Sequence, residues 1–270
     1  MTPSDLIGKL HLGERVFGTL IVSPSPRWPD AVRQCGLDFV FIDTEHIALD
    51  RHQVSWMCQA YAALGLPPIV RIPSPDPFAA TMALDGGAAG VIAPYIETAA
   101  QVQALRGAVK LRPIKGRKLQ GLLKGDAPEP ELAAYVALAA KSKLLVVNIE
   151  SVPAIEALDE ILAVPGLDAV LIGPHDLSCN LGMPEQYARK EFLSACETIF
   201  RKARKAKVGA GIHYWGSAEE QARFLEMGAN LLIHSADITL FQKHLRQELD
   251  AVKQLTGVRP KTGAASSISI

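Results

Sequence analysis

The sequence predicts a single-domain (β/α)8 barrel, an α/β TIM barrel, on three observations. Short apolar segments rich in β-branched residues alternate with amphipathic segments along the chain, the order that builds a parallel sheet with crossover helices. The apolar segments number eight, and most lack a polar face, as expected of strands that are covered on both sides. The 270 residues, 49% of them hydrophobic, suit one barrel of about 250 residues.

The predicted strands follow one another at fairly regular intervals. They are Val16–Val22, Phe39–Ile42, Ile69–Ile72, Gly90–Pro94, Leu144–Ile149, Ala169–Ile172, Val208–His213 and Leu231–His234. Eight consecutive strand and helix units indicate a closed barrel rather than an open sheet.

The segments between the strands have the periodicity of amphipathic helices. These helices are predicted over Arg51–Leu64, Pro77–Asp85, Ala99–Val109, Val152–Leu162, Lys190–Ala206 and Ala218–Met227. Thr98 and Ser217 occupy positions where a helix N-cap is favoured. We expect Pro3–Leu12 to form a lid helix and Ile238–Leu255 to form a last helix that can pack on a neighbouring subunit.

One connection is about twice as long as the others. It runs from Tyr95 to Lys143 and has room for more than one helix. Its middle, Leu111–Pro130, is rich in Lys, Arg, Pro and Gly and has no clear period, which predicts a long basic loop over one barrel mouth. The loop is either a substrate loop or a solvated insertion.

Composition restricts the partners and the compartment. The 28 basic residues balance the 28 acidic ones, so no global field attracts nucleic acid or an anionic membrane. The four cysteines lack Cys-x-x-Cys spacing and suit a reducing cytoplasm. Neither a signal peptide in Met1–Leu12 nor a membrane-spanning segment is predicted. We expect residues 1–256 to form the barrel domain and residues 257–270 a disordered tail.

Polar side chains are concentrated at the ends of four predicted strands. Asp43, Glu45 and His46 end the second strand, and Arg71 ends the third. Asn148 and Glu150 end the fifth strand, and Pro174, His175 and Asp176 follow the sixth. Since (β/α)8 barrels carry their active sites at the carboxyl ends of the strands, we expect these groups to share one mouth.

Glu150 and Asp176 are the candidate metal ligands. They follow neighbouring strands, so their carboxylates can converge on a hard cation such as Mg²⁺ or Mn²⁺. A 2-oxo acid can complete the coordination, and the cation then acts as a Lewis acid on the developing enolate. Alternatively, Glu150 caps the helix that begins near Pro153 and Asp176 caps a turn at Leu177.

Arg71 and His46 are the candidate catalytic groups. The Arg71 guanidinium can stabilise negative charge on an enolate oxygen, unless it only forms an ion pair with Asp43 or Asp76. His46 is a candidate base that the carboxylate of Asp43 orients, with Glu45 beside it as a supporting group.

Other residues are assigned by position or by exclusion. The turn of Pro174, His175 and Asp176 opens a short helix whose amide groups can hold a substrate carboxylate. His213 and His234 also lie near strand ends, where packing is an equal alternative. No lysine stands at a strand end where a Schiff base would need it, and no P-loop, His-Glu-x-x-His or dinucleotide motif is present.

Four of these segments resemble the HpcH/HpaI aldolase/citrate lyase family of metal-dependent class II pyruvate aldolases, over roughly Leu12 to Leu255. They are Ile42–His46, Val70–Pro73, Asn148–Glu150 and Ile172–Ser178, and Gly228–Asn230 precedes the last strand as in the family. The resemblance implies that Glu150 and Asp176 bind Mg²⁺, Mn²⁺ or Co²⁺. It also implies that Arg71 contacts the oxo group of pyruvate or oxaloacetate and that His46 with Asp43 transfers protons. Asn148 would contact the substrate in place of a glutamine.

The resemblance further implies a hexamer, a trimer of dimers with exchanged C-terminal helices, and a lyase that reversibly cleaves a 4-hydroxy-2-oxo acid to pyruvate and an aldehyde. The family's Arg-Gly pair after the fourth strand is replaced by Lys118-Leu119, which leaves the acceptor open. A condensing enzyme or lyase that acts on oxaloacetate or a CoA thioester is therefore the first alternative, favoured by the basic loop. A non-catalytic barrel that binds a small acid is the second.

Overall fold

The computed structural model describes residues 1–259, and its strands close into a barrel. All eight strands are parallel and pair in sequence order, and the last strand pairs with the first. They are β1 Val16–Ile21, β2 Phe39–Asp43, β3 Pro68–Arg71, β4 Gly90–Ala93, β5 Leu144–Asn148, β6 Ala169–Ile172, β7 Gly209–Tyr214 and β8 Leu231–Ala236. The predicted fold is confirmed, and the strand bounds differ by one or two residues from those read off the sequence.

Helices precede, connect and follow the strands of the barrel. They are α1 Pro3–Leu12, α2 Trp28–Arg33, α3 Arg51–Ala63, α4 Pro77–Asp85, α5 Ala99–Lys110, α6 Gly116–Lys124, α7 Pro130–Ala140, α8 Val152–Glu156, α9 Leu158–Leu162, α10 Pro174–Asn180, α11 Lys190–Lys205, α12 Ala218–Glu226 and α13 Asp237–Leu255. Thr98 and Ser217 are the N-caps of α5 and α12, as predicted, and each also forms a capping box. The short α2 has no side-chain cap and was not predicted.

The alternation of side chains along each strand decides which residues reach the mouth. In β2, Phe39 and Phe41 belong to the core inside the barrel, whereas Val40 and Ile42 belong to the core between the strands and the helices. Asp43 is the next residue in the inward series. The same alternation therefore directs its carboxylate into the mouth at the carboxyl end of the barrel.

Helix α1 closes the opposite, amino-terminal end of the barrel. Leu6 and Leu10 are fully buried in the core inside the barrel, and Nδ2 of Asn230, which precedes β8, donates to the Leu10 carbonyl over 3.0 Å. The expected lid helix thus has the predicted bounds, and it covers the face that does not carry the candidate site.

The basic segment Leu111–Pro130 differs from the predicted loop. It contains α6, which packs so closely on α5 that a Cβ on Gly107 would lie 3.3 Å from the Leu119 side chain. Leu122 borders a cavity of about 530 Å³ together with His11 of α1 and with Asp168, which precedes β6. The segment therefore lies near the amino-terminal end of this barrel. Sequence periodicity missed α6 because its nine residues are flanked by glycines.

Helix α13 extends past the barrel with an uncovered apolar stripe. Phe241, Leu245, Leu249 and Val252 follow one another at helical spacing and remain 42–56% exposed. No described helix is long and apolar enough to span a membrane. Of the predicted tail, residues 260–270 fall outside the part of the chain that the structure describes.

Candidate active site

A pocket of about 290 Å³ opens at the carboxyl ends of the strands. Six of the predicted residues line it, namely His46, Arg71, Asn148, Pro174, His175 and Asp176. The other three, Asp43, Glu45 and Glu150, contact residues of the pocket lining instead. Asp43 and Glu45 bind Arg71, and Glu150 binds Asn148. The structure thus brings together all the site residues that the sequence predicts.

A buried ion pair fixes the guanidinium of Arg71. Its Nε and Nη2 donate to the two carboxylate oxygens of Asp43 over 2.9 Å and 2.6 Å, and Oε2 of Glu45 lies 3.1 Å from Nε. The guanidinium carbon also lies 5.4 Å from the centre of the Phe41 ring. The ion pair with Asp43, which the sequence offered as the alternative to a catalytic role, is therefore present, and it orients the guanidinium at the pocket wall.

The charges of this cluster are mutually stabilised. Burial alone would raise the pKa of Asp43, but the hydrogen bonds and the charge of Arg71 lower it below its ordinary value. For Arg71, burial opposes the charged form, yet Asp43 and Glu45 raise its pKa overall. Both groups are consequently ionised at neutral pH, and the pocket presents a fixed positive charge.

His46 lies at the exposed rim of the pocket. Its Nε2 is 3.7 Å from Oε2 of Glu45, and its side chain is 42% exposed. The carboxylate of Asp43 binds Arg71 and the backbone amide of Glu45 instead. The acid next to His46 is therefore Glu45 rather than Asp43, because the guanidinium of Arg71 occupies both Asp43 oxygens.

Glu150 is buried and does not cap a helix. Its Oε1 accepts a hydrogen bond from the backbone amide of Tyr95, and its Oε2 accepts one from Nδ2 of Asn148, both at 2.9 Å. The N-cap of α8 is Ser151, whose hydroxyl accepts from the amide of Ala154. Capping does not account for Glu150, and its carboxylate is directed to the mouth.

Glu150 and Asp176 converge at Gly173. A Cβ on Gly173 would lie 2.7 Å from Oε2 of Glu150 and 3.6 Å from Oδ2 of Asp176, so only glycine fits between these carboxylates. Burial raises the pKa of Glu150, and the charge of Asp176 raises it further, against the hydrogen bonds from Tyr95 and Asn148. Two carboxylates that repel each other in a buried site are stabilised by a cation.

The donor set of this site suits a hard divalent ion. Among the described residues, no three or more His, Cys, Asp or Glu side chains are grouped closely enough to hold a metal ion. An ion bound here would therefore have only the two carboxylates as ligands from these residue types. Mg²⁺ is commonly bound in this way, by one or two carboxylates with water and substrate oxygens. Oδ1 of Asn148 is buried without a hydrogen-bond partner, and it can accept from such a water.

His175 and Pro174 form the wall next to Asp176. Nδ1 of His175 is 3.7 Å from Glu185, too far for a hydrogen bond, and it is buried without a partner. Pro174 opens α10, whose N-cap Gly173 provides no side chain. The turn therefore holds a buried polar atom without a partner, and binding of a substrate carboxylate by the amides of α10 stays a prediction.

Tyr95 is a site residue that sequence reasoning missed. It follows β4 with a left-handed backbone, φ 53°, which is uncommon for a residue other than glycine. Its amide binds Glu150, and the interaction of its phenol with the acid Glu45 raises the pKa of Tyr95 to about 12. No sequence motif marks such a residue, because the contacts depend on the local backbone angle.

Comparison with known proteins places the chain in a family. The model of the HpcH/HpaI aldolase/citrate lyase family matches residues 20–243. The chain belongs to this family. It is 29% identical to a hydroxypyruvate/pyruvate aldolase of Roseovarius nubinhibens, over 89% of this chain and 93% of that protein. It is 30% identical to a 2-keto-3-deoxy-L-rhamnonate aldolase of Shigella boydii serotype 4, over 91% of each chain.

Solved structures agree with this assignment. The crystal structure of citrate synthase SbnG superposes with a TM-score of 0.80 at 26% identity, and the match covers 93% of this chain and 98% of that one. Membership of the family confirms the expected class II aldolase, a carbon–carbon lyase. The alternative of a non-catalytic barrel is therefore wrong.

Proposed function

We propose that this HpcH/HpaI family member reversibly cleaves a 4-hydroxy-2-oxo acid to pyruvate and an aldehyde. The observation that carries the proposal is the convergence of Glu150 and Asp176 at Gly173, in the mouth that also holds Arg71. A cation site beside a fixed guanidinium suits an α-oxo carboxylate, whose oxygens require positive charge on two sides.

Each charged group has a distinct part in this reaction. Glu150 and Asp176 hold the divalent cation, Mg²⁺, Mn²⁺ or Co²⁺, which when bound supplies Lewis-acid polarisation of the substrate oxygens. Arg71 faces the 2-oxo oxygen and balances the negative charge that develops there. Asp43 and Glu45 hold the guanidinium in place, so little reorganisation accompanies the reaction. Asn148, Pro174 and His175 complete the wall against the substrate.

His46 transfers the proton. In the cleavage direction it removes the proton from the C4 hydroxyl, directly or through a water. The C3–C4 bond then breaks, the aldehyde carbonyl forms, and the electron pair moves into the oxo-acid fragment as an enolate. His46 returns this proton, directly or through a water, to C3 of that fragment, which completes pyruvate and restores the neutral ring. Glu45, 3.7 Å from Nε2 of His46, stabilises the protonated ring between these steps.

The test is a pair of isosteric variants assayed with pyruvate and short aldehydes. Glu150→Gln and Asp176→Asn should each lower kcat/KM at least 100-fold, and a chelator should abolish wild-type activity that Mg²⁺ restores. Glu156→Gln, which changes an exposed acid on the neighbouring helix α8, should change nothing. Full activity of Glu150→Gln in chelator-treated enzyme would overturn the cation site.

A second candidate function is a condensation or lyase reaction of oxaloacetate or a CoA thioester. The similarity to citrate synthase SbnG favours it. The basic segment no longer does, because Lys118 pairs with Glu129 and α6 packs on α5 away from the pocket. Parallel assays with oxaloacetate plus acetyl-CoA, and with pyruvate plus an aldehyde, decide between the two, since turnover in one mixture alone identifies the reaction.

We also propose that the chain forms a hexamer, a trimer of dimers in which α13 packs on a neighbouring subunit. The uncovered stripe of Phe241, Leu245, Leu249 and Val252 supports this, because an apolar stripe on a projecting helix requires a partner. A cytoplasmic location is consistent with the four free cysteines, all of which lie within the described residues.

A further inference from the structure

His213 stands at the base of the substrate pocket. In β7, Ala210, Ile212 and Tyr214 face the surrounding helices, so the alternating position of His213 faces the barrel interior. The residue is 8% exposed and lines the pocket. The mechanism proposed above does not use it.

A neighbouring strand fixes the tautomer of His213. Its Nε2 lies 3.0 Å from the backbone carbonyl of Ser235 in β8. A carbonyl only accepts, so Nε2 carries the proton and Nδ1 is left as an acceptor. Ser235 has φ 52°, and the pairing of β8 with β1 shifts register between Gly18 and Leu20. A strained backbone therefore presents this carbonyl to the ring.

The second ring nitrogen is available to a ligand. Nδ1 has no hydrogen-bond partner among the described residues, and it is not one of the fully buried atoms. Nδ1 is consequently open to the pocket that His213 lines. Burial lowers the pKa of His213 to about 4, which keeps the ring a neutral acceptor at neutral pH.

Aromatic contacts connect the ring of His213 with the guanidinium of Arg71. The ring of His213 meets the edges of Phe41 and Trp215, with centroid distances of 5.6 Å and 5.5 Å. Phe41 in turn carries the guanidinium of Arg71 on its ring face. In this otherwise apolar part of the pocket, Nδ1 offers a partner to a hydroxyl group of the substrate.

We propose that Nδ1 of His213 accepts a hydrogen bond from a hydroxyl on C3 of the oxo-acid substrate, so that the site selects 3-hydroxy-2-oxo acids over pyruvate. This inference rests on the proposed function, in which Arg71 holds the oxo group one carbon away from that hydroxyl, and it changes the preferred oxo-acid product of that reaction from pyruvate to hydroxypyruvate. In pyruvate, C3 is a methyl group, which would leave Nδ1 of His213 unpaired. A site built to bind a hydroxyl discriminates against a substrate that lacks one.

The experiment compares hydroxypyruvate with pyruvate, each with acetaldehyde, which carries no hydroxyl of its own. The wild-type protein should have a kcat/KM for hydroxypyruvate at least 10-fold above that for pyruvate. His213→Leu should lower the value for hydroxypyruvate about 10-fold or more and change that for pyruvate less than about 3-fold. His213→Gln keeps an acceptor and should retain part of the preference.

The matched control is His234→Leu. This histidine lies in the neighbouring strand β8 and binds Gln221 through Nδ1, but it does not line the pocket, so its loss should leave the ratio of the two substrates unchanged. Equal losses for both acids in His213→Leu, or no preference in the wild-type protein, would overturn the specificity role alone. Failure of the wild-type protein to turn over either acid would overturn the proposed function and this inference together.

Discussion

The backbone amide of Tyr95 donates a hydrogen bond to Oε1 of Glu150 over 2.9 Å, and the phenol of the same residue interacts with the acid Glu45, which raises the phenol's pKa. Tyr95 thus connects the candidate cation ligand with the acid that contacts Arg71. The left-handed backbone at φ 53° makes both contacts available from one residue. Strain of this kind persists where surrounding contacts maintain it, which is common at functional sites.

Tyr95→Phe should lower kcat/KM by about 3- to 10-fold, because Glu45 loses the polar hydroxyl that interacts with it beside Arg71 and His46. The backbone amide to Glu150 is retained, so the affinity for Mg²⁺ should not change. Steady-state kinetics and a Mg²⁺ titration measure the two effects. Tyr135→Phe, at an exposed position on α7, is the control, and equal kinetics for the two variants would contradict a role for the phenol.

Arg71→Lys should unfold more easily than the wild-type protein and lose at least 100-fold in kcat/KM. Lysine keeps the positive charge but cannot reproduce both hydrogen bonds to Asp43, and the loss of a buried hydrogen bond to a charged group costs about 1.5–3 kcal/mol. Denaturant unfolding gives the change in free energy. Arg33→Lys changes an exposed ion pair with Asp30 and should alter the free energy of unfolding by less than about 0.5 kcal/mol. Similar losses of stability in both variants would contradict the argument.

Stability should fall as the pH drops from about 6.5 toward 4. The pKa of His213 is about 4 in the folded protein against 6.5 unfolded, so below 6.5 the unfolded chain binds the additional proton. The full effect amounts to roughly 3 kcal/mol and is complete near pH 4. Urea unfolding across this range should show a shallower slope for His213→Leu, whereas His244→Leu, on exposed α13, should keep the wild-type slope.

Mg²⁺ should raise the thermal midpoint of unfolding, since a ligand that binds only the folded state stabilises it by about 2.7 kcal/mol at 100 times its dissociation constant. Glu150→Gln should abolish the shift. The raised pKa of Glu150 lets protons compete with the cation, so the apparent affinity should weaken as the pH falls. Calorimetric titration at several pH values checks the direction, and an affinity independent of pH would contradict it.

Phe241→Glu and Leu245→Glu should reduce the size of the assembly, because each places a charge in the apolar stripe of α13. Light scattering measures the molar mass. Lys243→Glu also introduces an acid into this helix but outside the stripe, and it should leave the mass unchanged. A wild-type protein that is monomeric at all concentrations would contradict the proposed assembly.

Much of the fold follows from local pattern. The apolar runs such as Phe39–Ile42 and the helical periods between them are recognisable because strands and helices bury their side chains at fixed repeats. The family segments around Asp43, Arg71, Glu150 and Asp176 likewise indicate a shared mouth, since parallel strands in a barrel end on one face. The six-residue α2 was missed because it has too few turns to show a period, and α6 was missed because the glycines at its first position and directly after it favour a loop.

The partners within the site depend on the tertiary structure. Sequence spacing pairs His46 with Asp43, but neighbouring strands bring Arg71 into bidentate contact with that carboxylate and leave His46 beside Glu45. The amide of Tyr95 reaches Glu150 from another strand end, and the carbonyl of Ser235 decides the tautomer of His213. The sequence by itself determined the barrel and the residue types at its mouth. Only the closed sheet decided which groups bind one another, because hydrogen bonds between strand ends depend on register and backbone angle.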